Sequence, residues 1–254
     1  MAERVDIYTE PLAYRSAEIG PDGHINLFRI VDLLQETAGR HADALGFGMD
    51  DLERSGATWA LTKLHVHMHN PLVGGQAYSI QTWPAGTQRL WAIRRYRILD
   101  SEGSEVGQAI SHWMILDRIS HRPQRLPDFI TGRTWPEPPA PEASWTNFGE
   151  VSDLKQLTTD FDVRMTEIDI NNHVNNANYL AWAFNEAAGR LHPGKVATEA
   201  EIAFEAETKF GDTIRILSSY RDHHDDVISA HHLFLANTEN RVSKINIRWT
   251  NPQK

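Results

Sequence analysis

The chain has 254 residues, of which 41% are apolar and 23% charged, with a formal net charge of −9 and no cysteine. This composition is typical of a soluble protein with one large or two ordinary domains, and no apolar run approaches the roughly 18 residues of a membrane span. The missing cysteine excludes disulfides, thiolate metal sites and a cysteine nucleophile, and the negative charge argues against nucleic-acid binding. The first residues lack the basic start and apolar core of a secretion signal, so we expect a cytoplasmic protein with no membrane partner.

The first half of the chain predicts one strand, one long helix and four further strands. A short strand at 11–19 leads into turn-forming residues at 20–23, and an amphipathic helix follows at 26–45, stopped by Gly46. One more helical turn is expected at 49–55. Runs of β-branched and aromatic residues then predict strands at 58–69, 77–83, 89–99 and 105–116.

The second half repeats this order after a proline-rich stretch at 118–149, which we interpret as a linker on the surface. A strand at 157–163 precedes a turn and helix at 167–190. Four more strands are predicted at 195–208, 213–222, 227–237 and 241–250. We therefore divide the chain into an N-terminal unit at 1–130, a linker at 131–155 and a C-terminal unit at 156–254.

Short stretches of the two halves also resemble each other in the same order. The matching pairs are 22–26 with 171–175, 35–40 with 185–190, and 73–75 with 210–212. Three matches in one order indicate an internal repeat. Since an antiparallel sheet wrapped around a long helix buries that helix well, the predicted fold class is α+β. We expect two antiparallel sheets, each wrapped around a long central helix, arranged as a pseudo-dimer within one chain.

A polar cluster precedes the second long helix. Asp169, Asn171 and His173 occupy alternate positions, and Asn175 or Asn176 can cap the helix. The start of a helix offers unpaired N–H groups and the positive end of the helix dipole, which together can hold a developing oxyanion. Asp, Asn and His are also common as turn and capping residues, so the spacing by itself leaves both interpretations open.

Several motifs together resemble the bacterial acyl-ACP thioesterases, which are related to the plant plastid fatty-acyl-ACP thioesterases. The motifs are 169–176 (DINNHVNN) with Tyr179, 33–38 (LLQETA), His41-Ala42, 59–63 (WALTK), Thr82-Trp83, 111–113 (SHW) and 122–127 (RPQRLP). They span residues 10 to 250. The resemblance implies a tandem double hotdog fold that hydrolyses fatty acyl-ACP to free fatty acid and holo-ACP, which terminates fatty acid synthesis. It implies no metal or nucleotide cofactor.

The resemblance also implies the site residues. Asp169, Asn171 and His173 match the family's catalytic positions directly, and Glu207 matches its glutamate, with Glu205 as the alternative. Plant members carry a cysteine beside that glutamate, once taken as a nucleophile, and Thr208 stands there in this chain. In the first half, 22–24 lacks the full Asp-x-Asn-x-His pattern, so we interpret that unit as a degenerate site that holds the acyl chain.

The implied partner is acyl carrier protein bearing a phosphopantetheine-linked acyl chain, and the chain itself is expected as a monomeric pseudo-dimer or a homodimer. Because acyl carrier protein is acidic, arginines near the end of the first half are candidates for docking, against the alternative of scattered surface charges. They are Arg89, Arg94, Arg95, Arg97, Arg118, Arg122 and Arg125, with Arg95 and Arg97 as the best pair.

Other interpretations remain open. His65, His67 and His69 alternate on one predicted strand, which favours a polar strand face over a metal site. An acyl-CoA thioesterase, a hotdog dehydratase acting on hydroxyacyl thioesters and a non-catalytic acyl-binding protein all fit the same fold. The sequence does not give the preferred acyl chain length or saturation.

Overall fold

The computed structural model describes residues 6–132, 157–191 and 194–251. Within these ranges the first half forms β1 (Tyr8–Pro11), α1 (Leu27–Leu45), α2 (Met49–Glu53), β2 (Ala57–Met68), β3 (Tyr78–Gln88), β4 (Trp91–Asp100), β5 (Glu105–Asp117) and α3 (Asp128–Thr131). The second half forms β6 (Leu157–Asp162), α4 (Asn176–Ala188), β7 (Val196–Phe204), β8 (Thr213–His223), β9 (Asp226–Leu235) and β10 (Arg241–Thr250). None of the helices in these ranges is long and apolar enough to cross a membrane.

Two sequence predictions need correction at the ends of the first half. The strand predicted at 11–19 is wrong, because β1 ends at Pro11 and residues 16–18 form a 3-10 turn. The proline-rich stretch does not begin as a surface linker either. Leu126 and Ile130 are buried against α2, β2 and β5, so apolar burial holds 118–132 to the first unit. The rest of the linker predicted at 131–155 lies outside the described residues, and the domain division stays a prediction.

The two long helices form where apolar side chains recur at helical spacing. In α1, Ile30, Leu34 and Ala38 are buried on one face. In α4, Ala177 and Leu180 are buried near the start, and Asn175 rather than Asn176 is the cap, since its side chain accepts the N–H of Ala177 at 2.8 Å.

The strands form one sheet rather than two. Within the described ranges, ten antiparallel strands run in the order β1-β3-β4-β5-β2-β7-β10-β9-β8-β6, so the expectation of two separate sheets is wrong. The halves join where β2 pairs with β7, with His65 opposite Glu201. Pairing at this junction satisfies the backbone groups that two separate sheets would leave unpaired at their edges. The strand order reads the same from both ends, as expected of a pseudo-twofold arrangement.

The helices α1 and α4 pack against this sheet and against each other. The rings of Phe28 and Phe184 meet with centroids 5.3 Å apart. The Nδ2 of Asn176 donates to Oε1 of Gln35 at 2.9 Å. The start of α4, where the polar cluster lies, is therefore held by the first half of the chain.

Candidate active site

A tight loop between β6 and α4 carries three of the predicted site residues. The N–H of Asp169 donates to the carbonyl of His173 at 2.8 Å, and the N–H of Asn172 donates to the carbonyl of Asp169 at 3.0 Å. Asn172 takes a left-handed conformation with φ 61°, which asparagine tolerates better than most residues. The turn closes because each of these backbone bonds is made locally, and it places Asp169, Asn171 and His173 at one end of α4.

Asp169 and Asn171 are partners within this turn. Oδ1 of Asp169 accepts the backbone N–H of Asn171 at 2.8 Å, and Oδ2 lies 3.4 Å from the Asn171 side-chain nitrogen. The turn thus holds the Asp169 carboxylate in place. This is the structural role of a turn residue, which the sequence spacing had left open beside a catalytic one.

His173 lies against Glu207, which comes from the loop after β7. Its Nε2 is 3.0 Å from Oε2 of Glu207, and the two side chains are 23% and 43% exposed. The alternative residue, Glu205, is bound instead to the guanidinium of Arg241, at 2.9 Å from Nη2. Of the two glutamates, the structure therefore brings Glu207 to the predicted site.

Thr208 fixes the position of Glu207. Its carbonyl accepts the N–H of Val174 at 2.9 Å, and its hydroxyl shares a hydrogen bond with the phenol of Tyr179 at 2.8 Å. Burial raises the pKa of Tyr179 to about 12, so this hydroxyl stays protonated at neutral pH. Since Thr208 is fully buried and makes both of these hydrogen bonds, it anchors the loop that carries Glu207.

Sequence reasoning missed a second imidazole at this site. Nδ1 of His121, in the loop after β5, lies 3.8 Å from the same Oε2 of Glu207. His121 belongs to the first half of the chain and Glu207 to the second. Neither spacing nor motif links two residues so far apart, and only the adjoining sequence at 122–127 drew attention to this loop.

Some of the backbone N–H groups at the start of α4 already donate hydrogen bonds to other groups. The N–H of Val174 donates to Thr208, and the N–H of Asn175 donates to the carbonyl of Glu167 at 2.9 Å. The N–H of Asn176 has no acceptor among the described residues. Among the backbone N–H groups of 174–176, that of Asn176 is therefore the one that could donate to an oxyanion.

A cavity of about 690 Å³ lies beside this loop, between β6, residues 163–167 and α4. Phe161, Trp182 and Phe210 line it together with Glu167, which accepts the Trp182 indole N–H at 2.9 Å. The lining does not include the four predicted site residues. The acyl-chain pocket expected in the first half stays a prediction.

The histidines of β2 lie in a polar network on the strand. Nε2 of His65 is 2.8 Å from Glu199, whose other oxygen accepts Nε of Arg248 at 2.8 Å. Burial lowers the pKa of His67. Within the described ranges, no group of three or more His, Asp or Glu side chains is arranged to hold a metal ion.

One of the arginines considered for docking is not on the surface. Arg94 is 6% exposed, and its Nη1 lies 3.0 Å from Nδ1 of His41 and 3.2 Å from the Thr82 hydroxyl. Arg95 and Arg97 point to the other face of β4, where both guanidinium groups lie over the ring of Trp83. Arg94 is thus removed from the candidate docking residues, and Arg95 and Arg97 are retained.

With this geometry in place, comparison with known proteins identifies the family. Residues 6–133 match the family model described as the acyl-ACP thioesterase N-terminal domain, and residues 151–251 match that of the acyl-ACP thioesterase C-terminal domain. The chain belongs to the acyl-ACP thioesterase family. The resemblance inferred from the sequence motifs is thereby confirmed.

Similar curated proteins are chloroplast enzymes. The oleoyl-acyl carrier protein thioesterase 1 of Arabidopsis thaliana is 26% identical over 192 residues, which cover 69% of this chain and 53% of that protein. The palmitoyl-acyl carrier protein thioesterase of the same plant is 24% identical over 202 residues, covering 71% and 47%. The chain therefore spans about half the length of the curated relatives that it matches.

Solved structures share the fold over nearly the whole chain. The 12:0-ACP thioesterase from Umbellularia californica superposes with a TM-score of 0.83 at 18% identity, covering 96% of this chain and 94% of that one. An acyl-ACP thioesterase from Bacteroides thetaiotaomicron gives a TM-score of 0.76 at 21% identity, covering 96% and 98%. The large antiparallel sheet with few helices is thus the fold of solved acyl-ACP thioesterases.

Proposed function

We propose that this protein hydrolyses fatty acyl-ACP thioesters to free fatty acid and holo-ACP. The observation that carries the proposal is the His173–Glu207 pair beside the Asp169–Asn171 turn, in a chain of the acyl-ACP thioesterase family. We interpret the two halves as two hotdog units that share one sheet. The acyl carrier protein is the proposed partner, and the curated relatives named for that substrate support it.

The reaction needs an activated water, a donor for the oxyanion and an exit for the thiol. In our proposal, the pair of His173 and Glu207 accepts a proton from water as its oxygen bonds to the thioester carbon. The negative charge that develops on the carbonyl oxygen is held by the N–H of Asn176. The carbon–sulfur bond then breaks, and the proton passes to the departing pantetheine sulfur. A thiolate leaves readily, so no strong general acid is required.

Asp169 and Asn171 take a positioning role in this scheme. Asp169 is tied to the backbone N–H of Asn171, which orients the turn and leaves the Asn171 amide at the exposed end of the loop. An amide offers both a donor and an acceptor, so Asn171 suits the placement of water or of the substrate carbonyl. A direct attack by a carboxylate, with an anhydride intermediate, is the alternative route.

The test is free-thiol release from a panel of acyl-ACPs and the matching acyl-CoAs. Glu207→Gln should lose about 10²–10⁴-fold in kcat, as expected for loss of a group that assists proton transfer. Glu205→Gln is the matched control, since it lies two residues away and is bound to Arg241. We expect it to keep the parent rate.

The outcomes separate the competing functions. Faster release from ACP than from CoA substrates supports the proposal and reveals the chain length. A preference for CoA would move the activity to acyl-CoA hydrolysis. No thiol release from either carrier would leave a dehydratase or a binding protein, and equal losses in the two glutamine variants would remove Glu207 from the mechanism.

A further inference from the structure

The carboxylate of Glu207 lies between two imidazoles that come from different halves of the chain. Nε2 of His173 is 3.0 Å from Oε2 of Glu207, and Nδ1 of His121 is 3.8 Å from the same oxygen. The adjacent Thr208 is held by the buried phenol of Tyr179. His121 is thus a first-half residue that lies beside the proposed catalytic pair.

The loop that carries His121 is built to a fixed shape. Oδ1 of Asp117 accepts the backbone N–H groups of Ile119 and Ser120 and the hydroxyl of Ser120, at 2.7 to 3.2 Å. Its Oδ2 accepts the side-chain amide of Gln124 at 3.2 Å. These hydrogen bonds hold the loop around the Asp117 carboxylate, so His121 lies in a turn of defined conformation.

The backbone of His121 itself is in a strained region. Its φ is 54°, and its N–H donates to the carbonyl of Asp117 at 2.9 Å. A residue other than glycine in this conformation costs free energy and persists where the surroundings fix it. In this conformation Nδ1 of His121 lies 3.8 Å from Oε2 of Glu207.

We propose that His121 is a positioning residue that holds the Glu207 carboxylate against His173. This inference rests on the proposed thioesterase function and deepens it. Glu207 is 43% exposed, and an exposed glutamate has several rotatable bonds and many accessible conformations. The imidazole of His121 lies 3.8 Å from the same oxygen, which is a close contact rather than a hydrogen bond. This contact restricts those conformations and keeps the carboxylate where it orients His173.

The experiment compares three substitutions in this loop. His121→Gly removes the imidazole and accepts the left-handed backbone, so the loop should keep its fold. His121→Asn also tolerates that conformation, and its amide nitrogen stands near the place of Nδ1. Ile119→Ala is the control, because that side chain is 93% exposed in the same loop.

We expect His121→Gly to lower kcat for acyl-ACP about 5- to 20-fold with KM little changed, as for a misplaced catalytic group. His121→Asn should restore most of that loss, and Ile119→Ala should match the parent. In the Glu207→Gln background, His121→Gly should cause no further loss, since a residue acting through Glu207 has nothing left to position.

A crystal structure of the His121→Gly variant supplies the second readout. We expect the Glu207 carboxylate to leave its 3.0 Å contact with His173 while the Asp169–Asn171 turn stays in place. A Glu207 that does not move, an unchanged kcat, or the same loss in the Glu207→Gln background would each overturn the proposal. If the parent released no thiol at all, the proposed function would fail, and the crystal structure would still decide whether His121 holds Glu207.

Discussion

The two halves carry the same loop in front of their long helices, with different side chains. In the first half, the N–H of Gly20 donates to the carbonyl of His24 at 2.7 Å, as Asp169 does to His173 at 2.8 Å. Likewise the N–H of Ile25 donates to Leu72 at 2.8 Å, as Val174 does to Thr208 at 2.9 Å. The backbone of the site is therefore duplicated.

The chemistry of the site is not duplicated. By these matched bonds, Gly20 stands where Asp169 stands, Asp22 where Asn171 stands, and His24 where His173 stands. Pro71, the residue before Leu72, takes the place of Glu207. The first half retains the histidine and has lost both carboxylate positions. The comparison teaches that a helix-capping loop is a scaffold, and that its function depends on which side chains it carries.

The first-half loop has also adjusted to its loss. A Cβ at Gly20 would lie 2.8 Å from Oδ1 of Asp22 and 3.2 Å from the side-chain oxygen of Asn26. An aspartate therefore does not fit at position 20 unless Asp22 moves. Nδ1 of His24 lies 3.4 Å from Asp22 and makes no hydrogen bond within the described residues.

The largest difference that we expect between the two halves is in the catalytic rate. His173→Ala should lower kcat for acyl-ACP by about 10²–10⁴-fold, because it removes the proposed proton acceptor. His24→Ala is the matched change in the other half, and we expect its rate to stay within about twofold of the parent. Thiol release by the two variants measures this difference. Similar losses in both would mean that the first-half loop is also catalytic.

A second difference between the halves predicts sensitivity to acid. His231, opposite Ser218 on β8, matches Tyr96, opposite Thr82 on β3, and both are buried. Burial lowers the pKa of His231 to about 3, whereas burial raises that of Tyr96. An unfolded histidine titrates near pH 6.5, so below that pH the unfolded state binds the proton first. The contribution of the buried, neutral His231 to the free energy of unfolding is therefore fully present above about pH 6.5 and is lost as the pH falls toward 3.

The expected loss from His231 is about 3 kcal/mol between pH 6.5 and pH 4, at 1.36 kcal/mol per pH unit. Urea unfolding at several pH values measures it, and His231→Gln should flatten the dependence by about one proton. Ile119→Ala, at an exposed side chain with no titratable group, is the control and should leave the slope unchanged. An equal slope in parent and His231→Gln would contradict the prediction.

The smallest expected effect concerns the shared left-handed position. Gly23 has φ 82° and Asn172 has φ 61° at the matched place. Gly23→Ala should cost about 1 kcal/mol of stability from backbone strain, since a Cβ there meets nothing within 4 Å. Asn172→Gly should change stability by less than about 0.5 kcal/mol. Urea unfolding tests both, and a neutral Gly23→Ala would indicate that the first-half loop relaxes to another conformation.

Much of the fold was predictable because the spacing of apolar residues along each helix and strand is a local pattern. The 3.6-residue spacing of apolar residues gave both long helices, and the strand runs gave β2 to β5 and β7 to β10. The repeat was also visible, although the match of 73–75 with 210–212 was off by one residue. Gly75, with φ 87°, matches Gly211, with φ 93°, whereas the sequence comparison had paired Gly74 with Gly211.

The single sheet was not predictable from local pattern. The pairing of β2 with β7 joins strands from different units, and nothing in either strand's alternation states which neighbour it takes. The choice between Glu205 and Glu207 was likewise open, since residues two apart point to the same side of an extended chain. It was decided by Arg241, which lies on β10 and binds Glu205.

The burial of Arg94, in contrast, could have been predicted from the sequence. It alternates with Tyr96 and Ile98, which are apolar or aromatic and buried, so its side of β4 could be inferred from parity. His121 offered no such signal, because its contact with Glu207 depends on how the two halves meet.

The palindromic strand order has an evolutionary consequence. In a symmetric dimer of two identical subunits, every substitution occurs at both sites, so neither site can lose its acids while the other keeps them. Joining both copies in one polypeptide removes that constraint, and each copy can then be selected for a separate task. The exchange of Asp169 for Gly20 and of Glu207 for Pro71 between the copies is a divergence that such a fusion permits.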